Sequence, residues 1–81
     1  MITEVVEYIV KQLTEKPEAV KIAEREDGDV TVIDVTVDPA DMGRVIGKGG
    51  RVAQSIRSIV RSISSKERKR YVVKFVETVN N

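Results

Sequence analysis

The amino-acid sequence predicts a two-layer α+β domain in which helices cover one face of a three-stranded sheet. Three observations lead to this class: the chain has only 81 residues, its apolar residues switch between helical and strand spacing, and the resulting elements follow the order α-β-β-α-α-β. A chain of this length has room for one small core. Residues 1–81 are therefore predicted to form one domain, with the amphipathic helices packed on a shared sheet face.

The first predicted element is an amphipathic helix at residues 2–15. From Ile2 to Leu13, apolar residues recur at three- and four-residue spacing, which is one face of a 3.6-residue repeat. Pro17 ends the helix, because the residue before a proline is driven out of helical geometry.

Three strands are predicted from runs of apolar and β-branched residues. The first two lie at residues 19–26 and 29–37, and Asp27-Gly28 between them predicts the tight turn of a hairpin. The third lies at residues 71–76, and residues 78–81 are predicted to be a frayed tail.

Two helices are predicted between the second and third strands. The first is short, at residues 40–46, with Asp38 or Asp41 as its capping residue, and the second is long, at residues 50–65. The long helix separates an apolar face from a basic one. Its apolar face contains Val52, Ala53, Ile56, Ile59, Val60 and Ile63, and its other face contains Arg51, Gln54, Arg57 and Arg61.

The composition excludes several classes of function. The chain has no cysteine and no histidine, which excludes disulfides, zinc clusters and catalysis by either side chain. The Asp and Glu residues lie mostly in the first helix and the hairpin, with no paired constellation near the glycine-rich segment. We therefore also expect no enzymatic activity, and no metal, cofactor or small-molecule substrate. No apolar run approaches the roughly 20 residues of a membrane span, and no secretory signal is recognisable. No membrane association is expected, and a cytoplasmic location is the default.

The net charge of +1 hides a strong asymmetry along the chain. Residues 1–43 carry a net charge of −7, whereas residues 44–74 carry +9. Such a split indicates a basic surface for a polyanion. The alternative is that the two halves pair with each other across the fold.

The most informative segment is the glycine-rich run at residues 43–51, between the two later helices. A Walker loop needs four residues between its first glycine and its Gly-Lys pair, whereas only three separate Gly43 from Gly47, and Lys48 is followed by glycine. A Rossmann loop needs a preceding strand and a third small residue where Val52 stands. Spacing and context therefore exclude both nucleotide-binding motifs.

The same segment resembles the signature of KH domains. Residues 46–50 match the pattern Ile-Gly-x-x-Gly, and the order of elements is similar to that of type II (prokaryotic) KH domains. From Asp41 to Arg51 the sequence resembles the motif Asp-x-Gly-Arg-Val-Ile-Gly-Lys-x-Gly-Arg of the small bacterial KhpA-type proteins, which consist of a single KH domain. The resemblance covers nearly the whole chain. One departure is Gly49, a glycine at the second variable position, which predicts a more flexible loop and weaker binding.

This resemblance implies a non-catalytic protein that binds single-stranded RNA. In KH domains the glycine loop clamps the backbone of about four nucleotides while an apolar groove holds the bases. Glycines permit close approach of backbone N–H groups to phosphates, and the positive end of the following helix lies at the same place. By resemblance, residues 43–46 and the strand around residues 33–37 form the groove walls, and without nearby aromatic residues no base stacking is expected. The implied RNA-binding residues are Gly43, Arg44, Val45, Ile46, Gly47, Lys48, Gly49, Gly50, Arg51 and Gln54.

Some of these residues also fit a purely structural role. Val45 and Ile46 fit burial in the core equally well, and Gly43 fits a glycine at a helix contact. Gly47 and Gly50 fit a plain turn between helices, although a turn needs one glycine rather than three. The cations of the long helix and of the connector after it fit an ordinary solvated surface, with auxiliary phosphate contact as the alternative for the cluster at residues 66–70. They are Arg57, Arg61, Lys66, Arg68, Lys69 and Arg70.

The resemblance also implies partners. KhpA-type proteins are associated with homodimers and with a heterodimer that contains a larger KH protein of the KhpB/Jag/EloR type, and with post-transcriptional regulation and cell shape. A homodimer, a heterodimer of this kind, or both are therefore expected beside the RNA. The alternative function is a protein-interaction module with weak or no direct RNA binding.

Overall fold

The computed structural model describes residues 2–78, which contain three α-helices and three strands. In chain order the elements are α1 (Ile2–Leu13), β1 (Lys21–Asp27), β2 (Val30–Val37), α2 (Met42–Ile46), α3 (Arg51–Glu67) and β3 (Arg70–Glu77), with 3-10 turns at Pro17–Ala19, Pro39–Asp41 and Lys48–Gly50. The predicted class and element order are confirmed.

The strands form one mixed sheet in the order β1-β2-β3. β1 and β2 are antiparallel and joined at Gly28, whose φ of +64° suits a glycine in a tight turn. β2 and β3 are parallel, which the sequence did not predict, and α2 and α3 supply the crossover that parallel neighbours need. Both edges of β2 are therefore hydrogen-bonded, whereas β3 keeps one free edge.

The core lies between the helices and one face of the sheet. Alternate residues of β2, namely Ile33, Val35 and Val37, are fully buried on this face. They belong to a cluster that also contains Ile2, Val6 and Val10 of α1, Ile56 and Val60 of α3, and Val73 of β3. The opposite face remains open, and Val72 and Val76 of β3 are exposed there.

Both long helices depart from their predicted bounds. α1 ends at Leu13 rather than residue 15, because the N–H groups of Glu15 and Lys16 donate to the Asp41 carboxylate instead of continuing the helix. α3 runs to Glu67 and ends where Arg68 adopts a φ of +57°. Ile59, predicted on the buried face of this helix, is 42% exposed.

The prediction of a frayed tail at residues 78–81 is wrong at Thr78. Thr78 is held to the sheet, since its N–H and its hydroxyl both donate to the Val37 carbonyl, at 3.0 and 3.3 Å. Residues 79–81 lie outside the described residues.

Candidate nucleic-acid interface

The loop between α2 and α3 has a backbone that only glycine adopts readily. Gly47, Gly49 and Gly50 have φ values of +78°, +64° and +79°. L-amino acids with a Cβ avoid this region for steric reasons. Three glycines in four residues are therefore explained by the loop conformation, and Gly49 fits that conformation rather than interrupting it.

Gly47 is also required by packing. A Cβ built there would lie 2.4 Å from Val52 Cγ2 and 2.9 Å from the Val52 backbone nitrogen, while the Gly47 N–H donates to the Gly43 carbonyl at 2.9 Å. By contrast, a Cβ at Gly43, Gly49 or Gly50 would meet nothing within 4 Å. Gly47 therefore joins the loop tightly to the start of α3.

Two backbone N–H groups of the loop are available to a ligand. Gly50 N–H donates to the Gly47 carbonyl at 3.1 Å, and Arg51 N–H donates to the Lys48 carbonyl. Within residues 2–78, no hydrogen bond uses the N–H groups of Lys48 and Gly49. The two donors without a partner are adjacent in the loop.

The surroundings of these donors are positively charged. Lys48 and Arg51 are exposed, and neither has an ion-pair partner in the described part of the chain. The first turn of α3 contains no acidic residue, and no side chain caps it. The positive end of the helix dipole is therefore not neutralised by the protein. Gln54 is exposed one turn further along the same side.

The four predicted site residues of α2 have unequal roles. Val45 is 0% exposed and belongs to the core, which corrects its predicted place in a groove wall, and Ile46 is half-buried against the same core. Gly43 is exposed. Arg44 is exposed too, but its guanidinium pairs with Glu15 and lies 3.3 Å from Asp41 Oδ1. Its charge is therefore largely matched inside the protein.

Asp41 anchors the start of α2, a role that the sequence did not reveal. It is 1% exposed, and its two carboxylate oxygens accept the N–H groups of Glu15 and Lys16 at 2.9 and 3.0 Å. The Glu15 N–H is the main cause that lowers the pKa of Asp41, with help from the Lys16 N–H and the Arg44 charge and against the effect of burial. The capping role belongs to Asp38, whose Oδ1 accepts the Ala40 N–H at 2.9 Å.

The predicted strand wall at residues 33–37 is wrong. On the helix-covered face the β2 side chains are fully buried, and both edges of β2 are paired. The accessible strand beside α3 is β3, where Arg57 Nε donates to the Val73 carbonyl at 3.4 Å and the guanidinium lies 5.6 Å from the centre of the Phe75 ring. Tyr71, also half-buried, lies on the same strand, so aromatic residues do border this surface.

The two charged halves of the chain do not pair extensively. Residues 44–74 contain ten Lys and Arg side chains. Within residues 2–78, Arg44 alone among these ten has an acidic side chain at ion-pair distance. Ion pairs within the described residues therefore leave most of this basic surface without a neutralising partner.

Residues 2–78 lack two other kinds of feature. No helix there has the length and apolarity to cross a membrane. No group of three or more potential metal-ligating side chains occurs in the same range.

The chain is similar to known proteins over most of its length. The model of the KhpA/KhpB KH domain matches residues 3–75. The protein called RNA-binding protein KhpA in Caldanaerobacter subterraneus is 42% identical over 73 residues, which cover 90% of this chain and 97% of the relative. The Aquifex aeolicus protein of the same name is 39% identical over 74 residues, covering 91% and 94%.

A solved structure shows the same fold at low sequence identity. It is Era in complex with MgGDPNP and part of 16S ribosomal RNA, with a TM-score of 0.67 and 19% identity. The match covers 99% of this chain but 31% of the Era chain, so the chain corresponds to about a third of that protein.

Proposed function

Because the chain belongs to the KhpA/KhpB KH-domain family, we propose that it binds single-stranded RNA through the loop at residues 47–50 and the start of α3, without catalysing a reaction. The family relatives are named as RNA-binding proteins, which supports RNA as the ligand. RNA phosphates are the groups that such a loop suits best.

One observation carries this proposal. The unpartnered N–H groups of Lys48 and Gly49 lie beside two unpaired cations at a helix start without acidic residues. Backbone donors, full charges and the helix dipole all favour an anion at one point, and phosphate is the anion repeated along a nucleic acid. The bases would then lie toward the groove between α3 and β3.

A charge-reversing double substitution, Lys48→Asp with Gly49→Asp, tests the phosphate clamp. It places two carboxylates where phosphate should lie, and like charges at an interface cost several kcal/mol, so affinity for a short oligouridylate should fall by more than about tenfold. Fluorescence anisotropy measures the affinity, and circular dichroism checks the fold.

The chain offers a matched control for that variant. Lys21→Asp with Gly28→Asp makes the same charge change, and Gly28 has the same φ of +64° and the same open surroundings as Gly49. Both pairs therefore carry equal backbone strain. Equal loss of affinity in the two double variants would contradict the loop assignment.

The salt dependence of binding gives an independent measurement. Each phosphate contacted on a single strand contributes about −0.7 to the slope of log affinity against log salt. The wild-type protein should show a steep negative slope, and the loop variant a shallower one. A salt-independent affinity would argue against phosphate contacts.

Self-association is a second candidate function, favoured by exposed apolar residues. Ile59 on α3 and Val76 on the open sheet face are each 42% exposed, and small domains gain stability from pairing. We propose a homodimer or a heterodimer with a larger KH protein, acting in post-transcriptional regulation. Sedimentation equilibrium of the wild type, Ile59→Asp and Val76→Asp variants tests which face pairs, and a monomeric wild type at high concentration would exclude the homodimer.

A further inference from the structure

A basic cleft of about 460 Å³ opens between the last turns of α3 and the start of β3. Four cations line it, Arg57, Arg61, Lys69 and Arg70, and none of its lining residues is acidic. We propose that this cleft is a second phosphate-binding site, which holds the continuation of the RNA strand that the glycine loop clamps. This inference rests on the proposed function and deepens it, because it adds a ligand site distant from the loop.

The end of α3 does not explain why these cations cluster here. Cations near a helix C-terminus commonly stabilise its unpaired carbonyls. Here, however, the Ser64 carbonyl already accepts the N–H groups of Arg68 and, at 3.2 Å, of Lys69. Backbone donors therefore satisfy the Ser64 carbonyl without a cationic side chain, and the side chains of Arg61 and Lys69 stay exposed to solvent.

Nearby acids do not neutralise the cleft. Glu26 and Asp29, near the hairpin turn, share a neighbouring depression with Lys69 and Arg70. No ion pair within residues 2–78 joins these acids to those cations, and Arg57 and Arg61 do not border that depression. The cleft therefore keeps a positive potential on the side that faces α3.

The position of the cleft suggests that it binds the same polyanion as the loop. Arg51 and Arg61 are ten residues apart on one helix, about 15 Å at 1.5 Å per residue. Arg57 lies between them and reaches across to the Val73 carbonyl on the free edge of β3. A single strand leaving the loop would follow this line of cations, and the half-buried Tyr71 in the cleft offers a ring on which one base can stack.

RNA length separates this site from the loop in an experiment. Oligouridylates of about four nucleotides, the length that a KH loop and groove hold, and of about twelve nucleotides are compared by fluorescence anisotropy. The variant Arg61→Glu with Lys69→Glu reverses two exposed cleft charges. The control Lys21→Glu with Lys74→Glu makes the same change on the open sheet face, where both side chains are exposed.

The expected result is a loss confined to the long RNA. The wild type and the control should bind the longer RNA about tenfold more tightly than the shorter one, because the second site adds to the effective affinity. The cleft variant should bind the short RNA with an affinity within about twofold of wild type and lose most of the gain with length.

Three results would overturn the inference. If the long RNA binds more tightly only because it offers more overlapping positions to the loop, the cleft variant would keep the gain in affinity with RNA length. Equal losses for both RNA lengths would show a general charge effect rather than a second site. Failure of the wild type to bind either RNA would refute the proposed function, and the cleft proposal with it.

Discussion

Replacing Gly47 by alanine tests whether the loop depends on its glycine for structural reasons. The φ of +78° and ψ of 172° lie in a region that L-residues rarely occupy, at a cost of about 1–3 kcal/mol. The new Cβ would also lie 2.4 Å from Val52 Cγ2 and 2.9 Å from the Val52 nitrogen, and relieving such an overlap costs about 1–3 kcal/mol. We expect the free energy of unfolding to fall by about 2–6 kcal/mol, the sum of these two costs.

That loss is large for this chain. A domain of this length has a total stability of about 4–12 kcal/mol, at about 0.05–0.15 kcal/mol per residue. The midpoint of thermal unfolding should therefore fall by at least about 8 °C, since each kcal/mol corresponds to about 4–8 °C in a domain of this size. Urea unfolding followed by circular dichroism measures the free energy directly.

Two further variants make the result decisive. Gly43→Ala is the matched control, because Gly43 lies in α2 with helical geometry and open surroundings, and it should stabilise the protein by about 0.5–1 kcal/mol. Adding Val52→Ala to Gly47→Ala removes the Cγ2 overlap but leaves the backbone contact, so it should recover only part of the loss. A Gly47→Ala protein as stable as Gly43→Ala would refute the reasoning.

Three other changes have expected outcomes. Asp41→Asn should lower stability at neutral pH and flatten the pH dependence of stability. Because the pKa of Asp41 is lowered in the folded state, its ionised carboxylate stabilises the fold above about pH 4 and loses this effect as the pH falls through the folded-state pKa. Acid titration followed by circular dichroism measures this dependence. Gly49→Asn should lower the free energy of unfolding by less than about 1 kcal/mol and Gly49→Val by about 1–2 kcal/mol, because asparagine tolerates left-handed geometry and a β-branched residue does not. Urea unfolding ranks the two variants, and the opposite order would contradict the described φ of Gly49. Ile33→Ala should cost about 2–5 kcal/mol, whereas Tyr8→Ala, at a side chain 68% exposed, should stay within about 0.5 kcal/mol; similar losses would contradict the described core.

Local signals in the sequence predict most of the elements correctly. The apolar face of α1, the Asp27-Gly28 turn and the glycine run at residues 47–50 each depend on neighbours in the chain. The parallel pairing of β2 with β3 joins residues 40 positions apart, such as Val30 and Arg70, and no local pattern encodes such a pairing. The error about the strand wall follows from this, because burial of β2 depends on its having a partner on each side.

Tertiary contacts also account for the errors at single residues. The partners of Asp41 lie 25 and 26 positions earlier in the chain, so its spacing in the motif could not distinguish an anchor from a helix cap. The resemblance placed Val45 in a groove wall, and helical periodicity placed Ile59 on a buried face. The first is buried and the second exposed because burial depends on how wide a stripe of each helix the neighbouring elements cover.

The distribution of charge around the loop argues against a purely structural turn. Cations at the positive end of a helix are unfavourable by a few tenths to about 1 kcal/mol, and a stable helix start normally has an acidic or hydroxyl side chain there. Here Gly50 occupies the capping position of α3, and the cations Lys48 and Arg51 flank it. The two ends of α2 are fixed by other contacts, those of Asp41 and Gly47. The loop is held in place without using the Lys48 and Gly49 N–H groups, and its own electrostatics are left unsatisfied. A bound polyanion would offset the repulsion between these cations and the positive end of the helix. It would do so with little loss of conformational entropy, because the loop already has a fixed conformation.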